Sequence, residues 1–593
     1  MRDLKNIPFT LAGSFLRLTT RNISGTHRVA LGTAANVAIS RKDEPFWAHD
    51  FFEFALFRDG VELTYEARAS AIRLDLIADG ASGAVVFQDA TTLRFETVGC
   101  ELRLLPAKPF AAAHRPRPGL LVLMDYPARG WHHLRAVAGT LMTDEVGLTL
   151  AGNARHFHDL PRTVTFAPMV PGLPCGGALR FCTYEDRWSD PLPDLVECER
   201  EREAGFSAWM RGMPNVLPVH REAAEEAWFI LWGCRVPVSG ALKRPALFMS
   251  KFWMNKIWAW DNTFNALAIV HHDPGLAWDQ LHIFFDHQGP NGVLPDTVSD
   301  LESVPMHVKP PVYGWAISRL IDRVGEAAAL PHLEQLYEPV VRLTEWWFNY
   351  RDHDGDGTCQ YHQGNDSGWD NGTPFDVGFP CESPDLAAWL VLQCEALGRM
   401  AELLDRPAGE AKHWRDEAGR RLAALLAHSV RNGRFVAPVS GFHEIADSQS
   451  LLLRFPIFLG KRLPDDVYRN ILEDLRPDGP FLTRWGLASE SPASPKYEAD
   501  GYWRGPIWGV SNFLVFDALV ATGETELARE LARRACALCV EHPGFWENYD
   551  ALAGTGLRCP AYTWTAATFL LMAEWLANPA NELESDSNVL RIP

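Results

Sequence analysis

The 593-residue chain has room for roughly two to four domains and at least one large core, and its 47 % hydrophobic and 22 % charged residues are ordinary globular values. Its formal charge of -19 is spread along the sequence, which repels an extended polyphosphate and argues against nucleic acid as a partner. Eleven cysteines, an odd number at irregular spacing within apolar segments, argue against a disulfide-stapled scaffold.

The first residues, Met1 to Pro8, lack the apolar core of a signal peptide, and no later run approaches the roughly 20 apolar residues of a membrane span. A cytoplasmic protein with no membrane partner is therefore expected. From Ile7 to Phe181 the pattern is strand-like. Ile72, Leu74 and Leu76 alternate with Arg73 and Asp75, and Cys100, Leu102 and Leu104 alternate with Glu101 and Arg103. Asp59-Gly60 and Asp79-Gly80 fall between such runs as turn signals. Residues 1–190 are expected to form an antiparallel β-sandwich. The Pro-rich Asp190-Pro191-Leu192-Pro193 and charged, helix-like sequence around Glu197 to Glu203 predict a linker over 191–217.

Beyond Pro218 the period becomes helical, with apolar stripes at about 221–235, 386–404, 411–430, 525–541 and 561–576. An all-α catalytic domain is expected over 218–580, followed by a tail at 581–593. Ser383-Pro384-Asp385 opens one helix with a capping serine, a proline at the first position and an aspartate at the positive dipole end. Cys536 and Cys539 form a lone Cys-x-x-Cys in a helical setting, which reads as core packing because structural zinc needs four ligands. Loops rich in Gly, Pro, Asn, Asp and Trp separate the helices at 251–265, 286–300, 352–376, 481–509 and 543–560. Chemistry belongs on such loops.

Two of these loops carry acids in apolar, tryptophan-rich surroundings: Gly364-Asn365-Asp366-Ser367-Gly368-Trp369-Asp370 and Phe545-Trp546-Glu547-Asn548-Tyr549-Asp550. Cleaving a glycosidic bond needs one carboxyl to protonate the leaving oxygen and another to activate water or attack the anomeric carbon. Asp366 is equally suited to shaping its loop or touching substrate. Asp352, Asp354 and Asp356 before Gly357 repeat the opening of a calcium loop, but Gln363 stands where the bidentate glutamate belongs, leaving Glu382 or Asp366 to complete a site. The other reading is a plain surface turn.

With Trp258-Ala259-Trp260-Asp261 and Gly501-Tyr502-Trp503-Arg504-Gly505-Pro506-Ile507-Trp508, these motifs resemble, in order, the glycoside hydrolase group of family 63 processing α-glucosidases, family 37 trehalases and bacterial mannosylglycerate hydrolases. The β-rich N-terminal part resembles the sandwich that many of these enzymes carry in front of the barrel. The resemblance implies an (α/α)6 barrel with a pocket at one end and hydrolysis with inversion. It makes Asp370 the general acid and Glu547 the general base. Asn548 and Tyr549, next to Glu547, are candidate hydrogen-bond donors to it by their chemistry. It also implies that Trp258, Trp260, Asp261, Gln288, Trp369, Tyr502, Trp503, Arg504 and Trp508 bind sugar, with Arg504 free to hold Asp500, Glu547 or a hydroxyl. The leading expectation is an exo-acting α-glucosidase on an oligosaccharide or small α-glucoside. The alternative is a mannosyl- or glucosylglycerate hydrolase, for which Arg484, Lys496 and Arg504 are the candidates to meet the carboxylate. Other classes are a phosphorylase and a non-catalytic carbohydrate-binding protein. The mechanism requires no cofactor; the one metal considered is structural Ca²⁺, the partner is a small carbohydrate, and a homo-oligomer is compatible with the sequence.

Overall fold

The structure, a computed structural model, describes residues 3–23, 26–35, 50–107, 110, 112–125, 128, 130–143, 163–182, 188 and 191–581. Asp190 and the expected tail from residue 582 onward lie outside these. The chain divides into two compact units: Met1–Gly212 with Trp232–Pro237 and Ser250–Asn255, and Met213–Leu231 with Val238–Met249 and Lys256–Pro593.

Among the described residues the first unit is built of strands together with one long helix. One antiparallel sheet runs in the spatial order Phe9–Thr10, Leu16–Ile23, Thr26–Thr33, Asp50–Arg58, Glu101–Pro106, Val164–Ala167, Thr140–Thr143, with Val61–Leu63 added to Asp50–Arg58. The other runs Ala112–Arg117, Leu120–Asp125, Gly130–Ala138, Cys175–Cys182, Thr92–Val98, Ala81–Phe87, Arg73–Ala78, Glu66–Ala69. Alternation sets which face is buried: Leu74, Leu76, Leu102 and Leu104 are all buried. Both Asp-Gly pairs close two-residue hairpins, pairing Arg58 with Val61 and Ala78 with Ala81. Asp59 and Gly60 take φ of 50° and 80°, which matches the strand twist. Phenylalanines from the two sheets meet between them, Phe95 edge-on to Phe166 at 4.8 Å and Phe51 against Phe181 at 5.0 Å. The segment expected as linker is mostly helix α1 (Leu195–Met210), capped by Asp194 and packed on the strands Ala81–Phe87 and Thr92–Val98.

The second unit is helical: α2 (Arg221–Gly233), α3 (Asp261–Ile269), α4 (Pro274–Phe285), α5 (Tyr313–Val324), α6 (Glu326–Tyr350), the single turn α7 (Gly364–Ser367), α8 (Pro384–Leu403), α9 (Ala408–Ser429), α10 (Asp465–Leu475), α11 (Gly509–Thr522), α12 (Thr525–Glu541) and α13 (Thr563–Ala577). A 3₁₀ segment, Leu451–Arg462, joins them. Six segments form an inner ring: α3 lies against α5, α5 against α8, α8 against Leu451–Arg462, that segment against α11, α11 against α13, and α13 against α3. Outside them α4 covers α3, α6 covers α5, α9 covers α8, α10 covers Leu451–Arg462 and α12 covers α11. The turn that opens α2 puts His220 edge-on to Phe569 of α13. This is the (α/α)6 barrel.

The inner helix α3 is buried at all nine of its residues. Its polar side chains therefore pair with neighbouring helices: Asn262 donates to Gln280 of α4 at 3.0 Å and Asn265 to Thr563 of α13 at 3.0 Å. Ser383 sits at the N-cap of α8 but turns its hydroxyl to Asp385 rather than to the helix amides. All eleven cysteines are free, and Cys536 and Cys539 are buried. Among the described residues no helix is long and apolar enough to cross a membrane.

Candidate active site

Five inner helices follow loops that carry buried polar or aromatic side chains. Trp258–Trp260 leads into α3, Lys309 precedes α5, Asp370 precedes α8, Tyr502–Trp508 leads into α11 and Glu547 precedes α13. The loops are thereby gathered at one end of the ring.

The Asp370 loop is built on two glycines. After the turn α7, Gly368 takes φ 71°, and a Cβ there would lie 2.7 Å from the Trp260 indole. A Cβ on Gly364 would lie 1.7 Å from the Asp370 carbonyl oxygen, so the loop closes on itself only without one. Asp366, 1 % exposed, braces the loop: it pairs with Arg351 at 2.7 Å and accepts from the amides of His362 at 3.0 Å and Val308 at 3.2 Å. Its carboxylate is committed to structure. Asn371 ties this loop to the next, donating to the Gly501 carbonyl at 3.0 Å and accepting from the Trp503 amide at 3.0 Å.

Burial pushes the Asp370 carboxyl up, while the nearby Lys309 ammonium pulls it down. Lys309 was not singled out by its sequence. Its side chain is 6 % exposed, pairs with Asp296 at 3.1 Å and donates to the Asn365 carbonyl at 2.6 Å. Burial lowers this ammonium, but Asp296, Asp370 and Asp261 together raise it above the ordinary lysine value, so it stays charged. Asp261 is 3 % exposed, burial pushes its carboxyl well up, and its Oδ2 has no protein partner among the described residues. An acid in that state suits a sugar hydroxyl.

Glu547 is 4 % exposed and burial raises it to about 7, opposed by the Tyr502 hydroxyl and the Cys559 backbone and reinforced by Asp370. The Tyr502 O–H donates to it at 3.2 Å. Tyr502, Phe545, Arg558 and Ala561 all have positive φ (64°, 46°, 68° and 50°), a conformation costly for side chains with a Cβ. Strain is concentrated in the segments around this acid. Since a donor favours the ionised form, Tyr502→Phe is expected to raise the Glu547 pKa and move the acidic limb of kcat/KM up by about one pH unit. A pH profile that superimposes on wild type removes Tyr502 from this role.

Several sequence expectations change. Tyr549 does not donate to Glu547; its hydroxyl accepts from the Trp546 amide at 3.0 Å, and the donor is Tyr502. Gln288 spends its amide on the carbonyls of Gly292 and Pro339 and on Arg342, bracing α6 instead of meeting sugar. Arg504 holds Asp376 and the Asn371 carbonyl, and Asp500 is held by Arg558 at 2.7 Å. Trp369, Trp503 and Trp508 are at most 1 % exposed and cover one another, Trp503 on Trp508 at 3.8 Å and 2° and on Trp369 at 4.4 Å. Trp260 and Trp564 extend this cluster. These rings set the position of the loops and leave little surface to a ligand, whereas Trp258 is partly exposed.

Asp352, Asp354 and Asp356 do converge, with carboxylate oxygens within 4.8 Å of one another. Asp352, however, caps its own loop by accepting from the Gly355 and Gly357 amides, and Gln363 turns to His307. Arg484 pairs with Glu541 at 3.4 Å, while Lys496 reaches Asp376 at 2.8 Å.

A barrel with two buried carboxyls on loops at one end of its ring is the arrangement that a glycoside hydrolase needs. Residues 254–565 match the mannosylglycerate hydrolase MGH1-like glycoside hydrolase domain, and the chain belongs to that family. The mannosylglycerate hydrolase MGH1 of Selaginella moellendorffii is 25 % identical over 387 residues, covering 53 % of this chain and 79 % of that one. The glucosylglycerate hydrolase of Mycolicibacterium hassiacum is 22 % identical over 416 residues, covering 54 % and 91 %. Among solved structures, the GH63 mannosylglycerate hydrolase of Thermus thermophilus in complex with Tris superposes with a TM-score of 0.50 at 22 % identity, covering 60 % of this chain and all of that one (100 %).

Proposed function

We propose that the protein hydrolyses an α-glycoside of glycerate, mannosylglycerate or glucosylglycerate, with inversion at the anomeric carbon. Asp370 gives its proton to the glycosidic oxygen as the C–O bond breaks. Glu547, oriented by Tyr502, takes a proton from the water that attacks from the opposite face. Glycerate leaves, and the sugar is released with the opposite anomeric configuration. Asp261 receives a sugar hydroxyl, and Lys309 pairs with Asp296 beside it.

The observation that carries the glycerate reading lies beside Asp370. Arg504 and Lys496 both pair with Asp376, two cations on one partly exposed carboxylate, and Arg504 also donates to the carbonyl of Asn371, the residue after the acid. The spare positive charge suits a leaving group that carries a carboxylate. The relatives that match over most of their own length, named mannosylglycerate and glucosylglycerate hydrolases, support the same choice. An oligosaccharide α-glucosidase, the reading the motifs alone favour, has no comparable feature behind it.

A proton NMR time course with mannosylglycerate and glucosylglycerate is expected to show the β-anomer of the sugar before mutarotation; the α-anomer first means retention and overturns the role given to Glu547. Glycosylglycerol, the neutral counterpart, is expected to be the poorer substrate by about 10-fold in kcat/KM, and Lys496→Met to narrow that gap. Equal use of both compounds by the unaltered protein removes the glycerate assignment while leaving the hydrolase assignment standing.

A further inference from the structure

The segment between α6 and α8, which carries Asp370, is anchored at both ends in a cluster of mixed composition. Asp356 follows α6, Glu382 precedes α8, His428 lies in the last turn of α9 and His443 comes from the loop after the hairpin Val430–Phe435. One donor atom from each lies within 4.8 Å of the others. His428 Nε2 is 2.7 Å from Glu382 Oε2 and its Nδ1 is 3.2 Å from Asp356 Oδ2. His443 Nε2 is 3.8 Å from the same Asp356 oxygen and 3.5 Å from Asp354.

Charge is unbalanced here. Asp354, Asp356 and Glu382 bring three carboxylates, and among the described residues their only ion-pair partners are the two histidines. Glu382 is 0 % exposed, and its Oε1 accepts no hydrogen bond in the described structure. A buried carboxylate oxygen in that position is costly unless a cation meets it. His443 takes φ 53°, in the left-handed region.

We infer that Asp356, Glu382, His428 and His443 form a closed four-ligand site for a divalent transition cation of the zinc class. Calcium and magnesium take oxygen ligands, whereas two imidazoles with two carboxylates suit zinc. A tetrahedral zinc at about 2.0–2.2 Å from each donor leaves no open position, so the site is structural. A salt-bridged His428 imidazolium accounts for Asp356 and one Glu382 oxygen, but not for Glu382 Oε1. The ion fastens both ends of the stretch that contains the proposed acid.

The test uses the full chain, stripped with a chelator, incubated with excess Zn²⁺ or Ca²⁺ and passed through gel filtration before elemental analysis and melting. About one Zn²⁺ per chain is expected to remain and to raise the melting temperature. His443→Ala, at a side chain 45 % exposed and so tolerant of change, is expected to lose both the retained zinc and the zinc-induced rise. Asp352→Asn is expected to keep both. No retained zinc, or equal retention by His443→Ala, overturns the assignment. Preferential retention of Ca²⁺ that is lost in Asp352→Asn also overturns it, in favour of the Asp352-Asp354-Asp356 loop.

Discussion

Glu547→Gln leaves a folded protein whose turnover falls by about 10²–10⁴-fold, the usual contribution of a positioned general base. The amide keeps the size of the carboxyl and can still accept from the Tyr502 hydroxyl, but it cannot take a proton from water. Folding should not suffer, since burial already disfavours the charged form of this group and raises it to about 7. The acidic limb of kcat/KM, set near neutrality by this residue, is expected to vanish with the activity. Asp370→Asn should lose a similar factor with glycerate as leaving group and much less with a phenolate, which needs no proton to depart. Steady-state kinetics checks both. Activity within about 10-fold of wild type in Glu547→Gln shows that another group serves as base.

Arg351→Met is expected to cost about 3–5 kcal/mol, the range for removing one partner of a buried ion pair. Asp366 is 1 % exposed and would be left with only the two backbone amides to offset its charge. Arg351 also lies over the Trp346 ring at 4.9 Å, a contact that methionine only partly replaces. Because Asp366 shapes the turn that presents Asp370, catalysis should fall together with the urea midpoint of the barrel. Adding Asp366→Asn removes the stranded charge and is expected to recover part of the loss. A single variant destabilised by less than about 1 kcal/mol, or a double variant no better than the single, shows that the pair does not hold this loop.

The sequence was most legible where one face of an element meets water. Strands such as Arg73–Ala78, and covering helices such as α9 and α12, display their period because polar residues mark the outer face. The inner helices α3 and α11 do not, since with apolar neighbours on all sides the period disappears; the proline- and glycine-rich loops around them hid their starts. Within the site, short motifs pointed to Asp370 and Glu547, and the structure brings those two within electrostatic reach of each other. Side-chain commitments were not legible. Gln288 and Tyr549 have suitable chemistry but are spent on structure, whereas Lys309 and Arg558 stand in unremarkable sequence and acquire significance only through neighbours far along the chain. The zinc-class ligands were half visible: Asp356 and Glu382 were noticed, but His428 and His443 follow no metal-binding spacing.

The contact of α13 with α3 joins the last turn of the ring to the first, and it has a consequence for the protein's birth. At about 5–20 residues per second, tens of seconds separate synthesis of Asp261 from that of Ala577, and during this interval the ring has no closing member. The β-sandwich strands are already out of the ribosome and free to fold, while the inner faces of the early helices wait, exposed, for a partner. Glu547 leaves only just ahead of α13. A nascent chain therefore cannot act on sugar before its barrel is sealed, and a ribosome stalled short of α13 would hold an apolar, open ring that invites chaperones or aggregation.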